Sequence, residues 1–342
     1  MTHALQVLVL AGSLAAHPAL AAPGVVFQTS VSPQEGEDLA SNCTYELTLL
    51  DPSRPVRGVW VIFDRGRDML RYYGDPDVQA FAQRNDFALL LAFHCRAKSY
   101  EDMNVDPAQG LGRALFTALA QFGEHSHHAE LASAKVILLG FSGPGSLVAR
   151  FAAFAPERVL AVIPADAGQA APLGLDTIHL SSKAMLVPQL IVAGGADAVS
   201  GTPRPYDYFR RHFDQGAPWT FVVQNKTPHC CIINAKALVL QWLDAVAVRG
   251  LTRSTGWYGF MTQVPSETED CPNPRPPLVP PSCHSTKDTW GSTNWSVSTA
   301  SIDRHPRPPA GMMPAGWLPT RAFAKQWRSF VRQHEHPVTS LP

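Results

Sequence analysis

G-F-S-G-P-G, residues 140–145, decides how this chain reads. The apolar run V-I-L-L at 136–139 precedes it, and residues 146–154 follow with apolar side chains at helical spacing. A buried strand, a tight turn with a central serine and then a helix is the layout of a nucleophile elbow. Such a turn strains the serine backbone, so small neighbours are needed on both sides. It also lifts Oγ above the sheet edge, at the N-terminus of the next helix, where helix amides favour developing negative charge. The usual pattern is G-x-S-x-G. Here Pro144 holds the fifth position and glycine arrives one later, at Gly145. Proline lacks an N–H, but in the first turn of a helix that donor has no intrahelical partner. Pro144 therefore fits the elbow, while the close helix–strand packing of the usual glycine is left open.

Working outward, apolar or alternating runs of strand length occupy 44–50, 57–63, 87–93, 159–164, 189–193 and 219–224. Helical spacing recurs over 77–83, 107–122, 206–213 and 232–248. Strands alternating with helices predict an α/β domain with a mostly parallel sheet covered by helices on both faces. Ligands then bind beyond the carboxyl ends of the strands, so chemistry belongs just after each strand.

Three such positions carry it. Ser142 needs a base and an orienting acid. His229, in T-P-H-C-C, follows the strand 219–224, and Asp197, in G-G-A-D, follows the strand 189–193. Asp166, in P-A-D-A-G after the strand 159–164, is the alternative acid. Asp197 is favoured because its Gly-Gly approach suits a tight turn. Asp176 is a more remote candidate. The oxyanion hole needs two backbone donors. One is the amide of Gly143, after the serine; the other belongs to the loop after an early strand, F-D-R-G-R-D at 63–68, at Arg65 or Gly66. A plain turn with a salt-bridged Asp64 or Asp68 is the competing reading of that loop.

These residues resemble the α/β-hydrolases, specifically the secreted esterases that include feruloyl esterases and polyhydroxyalkanoate depolymerases. The resemblance spans about residues 57–248 and rests on G-F-S-G-P-G, F-A-P-E-R-V at 154–159, G-G-A-D and P-H. It implies the α/β-hydrolase fold. It also implies a secreted serine hydrolase that cleaves carboxylic esters through an acyl-enzyme, with Ser142 as nucleophile, His229 as base and Asp197 as acid, and with no metal or organic cofactor. Related enzymes often show His-Gly in the oxyanion loop, which is missing here. Some tannase-like feruloyl esterases link cysteines beside the serine and the histidine. Cys230 follows His229, but Phe141 precedes Ser142, so that link is absent. Two other functions stay open: a secreted serine peptidase with the same three residues, and a non-catalytic binding protein on the same fold.

The chain has 342 residues, ample for a large core. Its 28 basic and 28 acidic residues balance, and charged residues are only 16%. No basic stretch is dense enough to track phosphates, so nucleic acid is not an expected partner; a small-molecule or polymeric ester is. Residues 1–21 read as a signal peptide, apolar and small, with A-L-A at 19–21 as the cleavage site near Ala21. Residues 22–250 form the catalytic domain. Residues 251–342, rich in Pro, Ser and Trp, read as an appendage packed on it, with one helix at 320–334 and with Trp290, Trp295, Trp317 and Trp327. Packing is favoured for these tryptophans over an aromatic substrate cleft. No stretch after the signal is apolar enough to span a bilayer.

Six cysteines in an exported chain permit disulfides. Cys271 and Cys283 flank a proline-rich loop and form the best candidate pair. Cys43, Cys95, Cys230 and Cys231 cannot be paired from sequence: Cys230 and Cys231 either join each other or pair separately, for instance with Cys95, with buried free thiols as the plainer alternative. H-S-H-H at 125–128, with Glu124 and Glu130, reads as a surface turn rather than a metal site. N-x-S/T occurs at Asn42, Asn225 and Asn294.

Overall fold

The computed structural model describes residues 24–99, 105–167, 178–265 and 295–337. The signal peptide at 1–21, Asp176, Trp290, Asn294 and the pair Cys271 and Cys283 lie outside the described residues. Near-continuous Val, Ile and Leu runs form the central strands: β1 (Val25–Val31), β2 (Cys43–Leu49), β3 (Gly58–Phe63), β4 (Phe87–Phe93), β5 (Val136–Phe141), β6 (Val159–Ala165), β7 (Gln189–Gly194) and β8 (Trp219–Gln224). Between them run α1 (Arg67–Tyr73), α2 (Pro76–Arg84), α3 (Leu111–His125), α4 (Gly143–Phe154), the single turn α5 (Ser182–Met185), α6 (Pro203–Phe213) and α7 (Lys236–Leu243). The chain ends in β9 (Trp257–Pro265), β10 (Trp295–Asp303), β11 (Met313–Leu318) and α8 (Arg321–Val331).

One sheet joins these strands in the order β1-β2-β4-β3-β5-β6-β7-β8-β11-β9-β10. The six strands from β4 to β8 pair in parallel. Both flanks are antiparallel: β1 and β2 on one side, β11, β9 and β10 on the other. The expected parallel core is there, but the sheet as a whole is more mixed than the sequence reading. Alternation across the pleat splits the core strands between two faces. Val59, Val61, Leu90 and Leu138 meet α3 and α4, while Trp60, Ile62, Leu89 and Ile137 meet α1, α2 and α7. Each of these side chains is fully buried, a gain of roughly 1.5–3 kcal/mol apiece before entropy.

In the stretch 63–68 the turn runs to Gly66 and α1 begins at Arg67, and Asp68 lies 3.8 Å from Arg71, the ion pair that the turn reading expects. Two further expectations need correction. The long helix read at 232–248 is a 3₁₀ turn at Ile232–Ala235, then α7, then a π turn at Asp244–Val248. The C-terminal segment holds three strands besides its helix. Edge strands with one wet face read as polar, Ser/Thr-rich sequence in β10, and β11 carries Pro314 and Gly316, residues that argue against a strand.

The C-terminal strands continue the sheet from β8. Trp295, Trp317 and Trp327 are buried, so they serve packing, and Trp327 Nε1 donates to the carbonyl of Phe221 at 2.9 Å. Asn225, just after β8, binds this segment most tightly. Its amide nitrogen donates to the carbonyls of Val297, Val331 and Gln333 at 3.1, 3.0 and 2.9 Å, and its Oδ1 accepts from Val297 N at 2.8 Å. With every polar atom engaged and the residue 3% exposed, the N-x-T site at Asn225 is closed to glycosylation in the fold. Cys43 is joined to Cys95, tying the start of β2 to the loop after β4. His128 is held by Glu130 at 2.9 Å and the carbonyl of Pro52 at 3.1 Å, a loop fastening rather than part of a metal cluster. Among the described residues no helix is long and apolar enough to cross a membrane.

Two buried histidines give stability a pH dependence. His212 Nδ1 donates to the carbonyl of Tyr208 at 2.9 Å, and its ring lies 4.8 Å from Trp219. His336 stacks on Phe330 at 4.2 Å. Burial holds both imidazoles below the usual range. The unfolded chain therefore binds more protons near pH 6.5, so their contribution is complete above that pH and is lost as pH falls. Between pH 7 and 5, wild type should lose stability relative to His212→Gln by roughly 1 kcal/mol, read from denaturant melts at each pH. A difference that stays flat across that window would contradict this.

Candidate active site

The site grows from the turn between β5 and α4. Ser142 caps α4 with φ 60° and ψ −123°, a left-handed conformation that side chains rarely adopt and that costs about 1–3 kcal/mol. Two glycines make room for it. A Cβ at Gly140 would lie 2.1 Å from the carbonyl oxygen of Pro144, and one at Gly145 would lie 2.6 Å from the Cβ of Ala167 and 2.8 Å from the carbonyl oxygen of Ala165. The close approach of α4 to β6 is thus kept by Gly145, one position later than in the usual motif. Pro144 sits in the first turn of α4, where its missing N–H leaves no bond unmade. Ser142 N donates to the carbonyl of Ala165 at 2.9 Å, which fastens the turn to β6.

His229 and Asp197 come to this turn from the loops after β8 and β7. His229 Nε2 lies 2.9 Å from Ser142 Oγ, and its Nδ1 lies 2.8 Å from Asp197 Oδ2. A carboxylate only accepts, so Nδ1 carries the proton and Nε2 is left to accept from the serine hydroxyl. Asp197 is 1% exposed, and its Oδ1 accepts from Val199 N at 2.8 Å and Ser200 N at 2.9 Å. The Gly194–Gly195 approach allows that turn: the amide of Gly195 donates to the carbonyl of Gln224 at 2.8 Å, and that of Ala196 to the carbonyl of Thr227 at 2.9 Å. The acid loop and the histidine loop are therefore stitched together.

Other contacts hold the imidazole that sequence reasoning missed. Phe141 lies against it at 4.8 Å between ring centres. Cys230 and Cys231 are joined as adjacent residues, one of the two arrangements left open, and Cys231 takes a left-handed conformation at φ 72°. Cys231 N donates to Asp68 Oδ2 at 3.3 Å, linking the histidine loop to α1. The signal for this contact was an acid in the loop after an early strand, which sequence alone could not aim.

Of the expected oxyanion donors, Gly143 follows Ser142 in the turn itself, and Arg65 borders a cavity that Pro144 also lines. Gly143 is the first residue of α4, so its amide has no intrahelical acceptor. Gly66 caps α1 at φ 86°. Arg65 lines a cavity of about 110 Å³ together with Pro144, Leu147, Phe93, His94 and Arg96. The loop after β3 thus borders the same cavity as the start of α4.

Asp166, the alternative acid, lies beside Asp197 rather than in its place. Adjacent strands β6 and β7 set the two loops next to each other, and ligand atoms of Asp166, Asp197 and His229 all lie within 4.8 Å of one another. This is the one convergent group of three potential metal ligands among the described residues. Asp197 and His229 are already hydrogen-bonded to each other, so an ion held by both through those atoms would have to break that bond. Burial, and then the charge of Asp197, push the Asp166 carboxyl well above the usual carboxylate range.

No protein-family model matches the chain, and no curated protein does. Solved structures similar to it include the fluorophosphonate-binding serine hydrolase F of Staphylococcus aureus, at 14% identity and TM-score 0.44 over 65% of this chain and 99% of that one. An S-formylglutathione hydrolase from Agrobacterium tumefaciens matches at 15% identity and TM-score 0.46, over 66% and 95%. The acylaminoacyl peptidase of Pyrococcus horikoshii matches at 10% identity and TM-score 0.47, over 67% and 42%. Likeness at this level carries no inference about the chemistry of this chain.

Gly140→Ala should abolish whatever the elbow presents, since the clash is with backbone that cannot yield. Its melting temperature should fall by several degrees, and labelling of Ser142 by a fluorophosphonate should be lost. Asn225→Ala takes away the acceptor of the Val297 amide and the donor to the carbonyls of Val297, Val331 and Gln333, and should cost about 3 kcal/mol in denaturant melts. A cost under about 0.5 kcal/mol would show that the C-terminal segment is held elsewhere.

Proposed function

We propose that the chain is a serine hydrolase of the α/β-hydrolase type that cleaves carboxylic esters through an acyl-enzyme. One observation carries this reading: the unbroken line from Asp197 through His229 to Ser142, at 2.8 and 2.9 Å, ending on a serine at a helix N-terminus. Ser142 Oγ attacks the ester carbonyl carbon while its proton passes to His229 Nε2. The negative charge that forms on the carbonyl oxygen faces the Gly143 amide and the loop at Arg65 and Gly66, each donor being worth roughly 10²–10³ in rate. Asp197 fixes the imidazole tautomer and stabilises the imidazolium. Nε2–H then protonates the departing alcohol. Water, deprotonated by the same nitrogen, repeats the attack on the acyl-serine and releases the acid.

We further propose export to an oxidising compartment. The signal-like residues 1–21 support it, as do the two disulfides, which persist mainly outside the cytosol. The non-catalytic reading fits poorly, because a mere binding protein has no need of a strained serine aligned with a histidine and a buried acid.

The test is fluorophosphonate labelling together with hydrolysis of p-nitrophenyl esters. Wild type should label and turn over, and Ser142→Ala should do neither, with a rate loss of at least about 10⁴-fold. Equal labelling of both proteins would refute the assignment. Cleavage of aminoacyl anilides in preference to esters would turn it to a peptidase.

A further inference from the structure

Two buried carboxyls, Asp197 and Asp166, lie within 4.8 Å of one imidazole in this site, and Asp197 is bonded to it. Asp166 is held rigidly: its amide donates to the carbonyl of Val192 at 2.9 Å, its own carbonyl accepts from Ser200 Oγ at 2.9 Å, and its Oδ1 accepts from Gly194 N at 2.6 Å. Its Oδ2 is buried and has no hydrogen-bond partner. Asp197, by contrast, has acceptor bonds on both oxygens, one of them to His229. Two carboxylates this close in a dry site cannot both ionise cheaply, and the amide-rich, imidazole-bonded one keeps the charge.

We propose that Asp166 is a second positioning residue for His229, a carboxyl that shares a single negative charge with Asp197 and takes that charge over when Asp197 is removed. This rests on the reading of Ser142, His229 and Asp197 given above. In the intact site Asp166 stays neutral, its proton on the otherwise unpartnered Oδ2, in keeping with the direction in which burial and Asp197 move it. A neutral neighbour spares Asp197 a like-charge repulsion that would compete with the imidazolium. Truncating Asp197 to Ala removes that repulsion and also opens space for water beside Asp166, so both causes that hold its proton weaken, burial first and then the neighbouring charge. Asp166 then releases its proton to solvent and becomes the nearest anion to the imidazole, within 4.8 Å. It cannot match a 2.8 Å hydrogen bond, so the rescue is partial.

The experiment is a double-mutant cycle on p-nitrophenyl acetate hydrolysis, with kcat and KM measured separately. Asp166→Asn alone should lower kcat by about threefold. In an Asp197→Ala background the same change should cost about thirtyfold or more, in kcat and not in KM. Equal factors in the two backgrounds would overturn the proposal, because a merely structural role is additive. So would an Asp197→Ala enzyme already as slow as the double variant. Asp166→Ser keeps an acceptor for the Gly194 amide without charge, and it decides the case should Asp166→Asn fail to fold. Wild-type kcat in Asp197→Ala would overturn both this proposal and the site reading, whereas a large loss there with additive factors leaves the site reading intact.

Discussion

The reversal of the chain at Ser142 is the constraint on which the rest depends. β5 must end and α4 begin within a single residue held at φ 60° and ψ −123°. The strain of that residue, about 1–3 kcal/mol, persists only if the two flanking elements cannot move apart. Gly140 lets the carbonyl of Pro144 fold back over β5, and Gly145 lets α4 lie against Ala165 at the end of β6 and Ala167 just beyond it. The parallel core then does the rest. Because β6, β7 and β8 run in the same direction as β5, their C-terminal loops all open at the edge where Ser142 stands. Asp166, Asp197 and His229 arrive there from three consecutive strands.

Much of this was legible because central strands buried on both faces leave unambiguous apolar runs. β3, β4, β5, β7 and β8 lie within a residue or two of where the periodicity puts them. The three residues now joined by hydrogen bonds were legible from the elbow motif and from its need for an acid and a base at later strand ends. What failed to show obeys a different physics. β10 is a half-wet strand and β11 a buried one interrupted by Pro314 and Gly316, and both pair with strands distant in sequence, so S-V-S-T-A-S and M-P-A-G-W-L carry no local signature. The contacts that aim the imidazole were equally silent. Phe141 reads only as the residue before the serine, Asp68 as a salt-bridged turn acid, and Cys230 and Cys231 as two thiols of unknown partner. Each acquires its role only from three-dimensional proximity.

The C-terminal segment makes the same point at larger scale. Composition alone distinguishes residues 251–342 from the rest, yet β11 pairs with β8 and α8 lies across β8, β9 and β10. The backbone of Trp295 approaches Gly195, two residues before Asp197, and Val297 binds Asn225, four residues before His229. One short stretch of chain therefore touches both the acid loop and the base loop near their roots. A polar residue with all of its bonds satisfied by backbone is the kind of buried network that fixes one geometry rather than adding much net stability. On that ground the C-terminal strands are part of the support that sets the distance between Asp197 and His229, whatever the segment contributes at its surface.

Electrostatics sets the remaining requirement. On the mechanism proposed above, an imidazole that alternates between neutral and charged forms needs one anion beside it, not two and not none. Asp197 would supply it with both oxygens already committed, so its orientation would not drift as the proton moves. Asp166 occupies the adjacent strand end, where an ionised acid would oppose that arrangement and an apolar side chain would leave the Gly194 amide without its acceptor. A neutral carboxyl meets both demands, since it accepts from the amide on one oxygen and adds no charge. The raised proton affinity of Asp166 is in this sense a consequence of the fold. Two neighbouring parallel strands bring two acids to one base, and only one of them can be the anion.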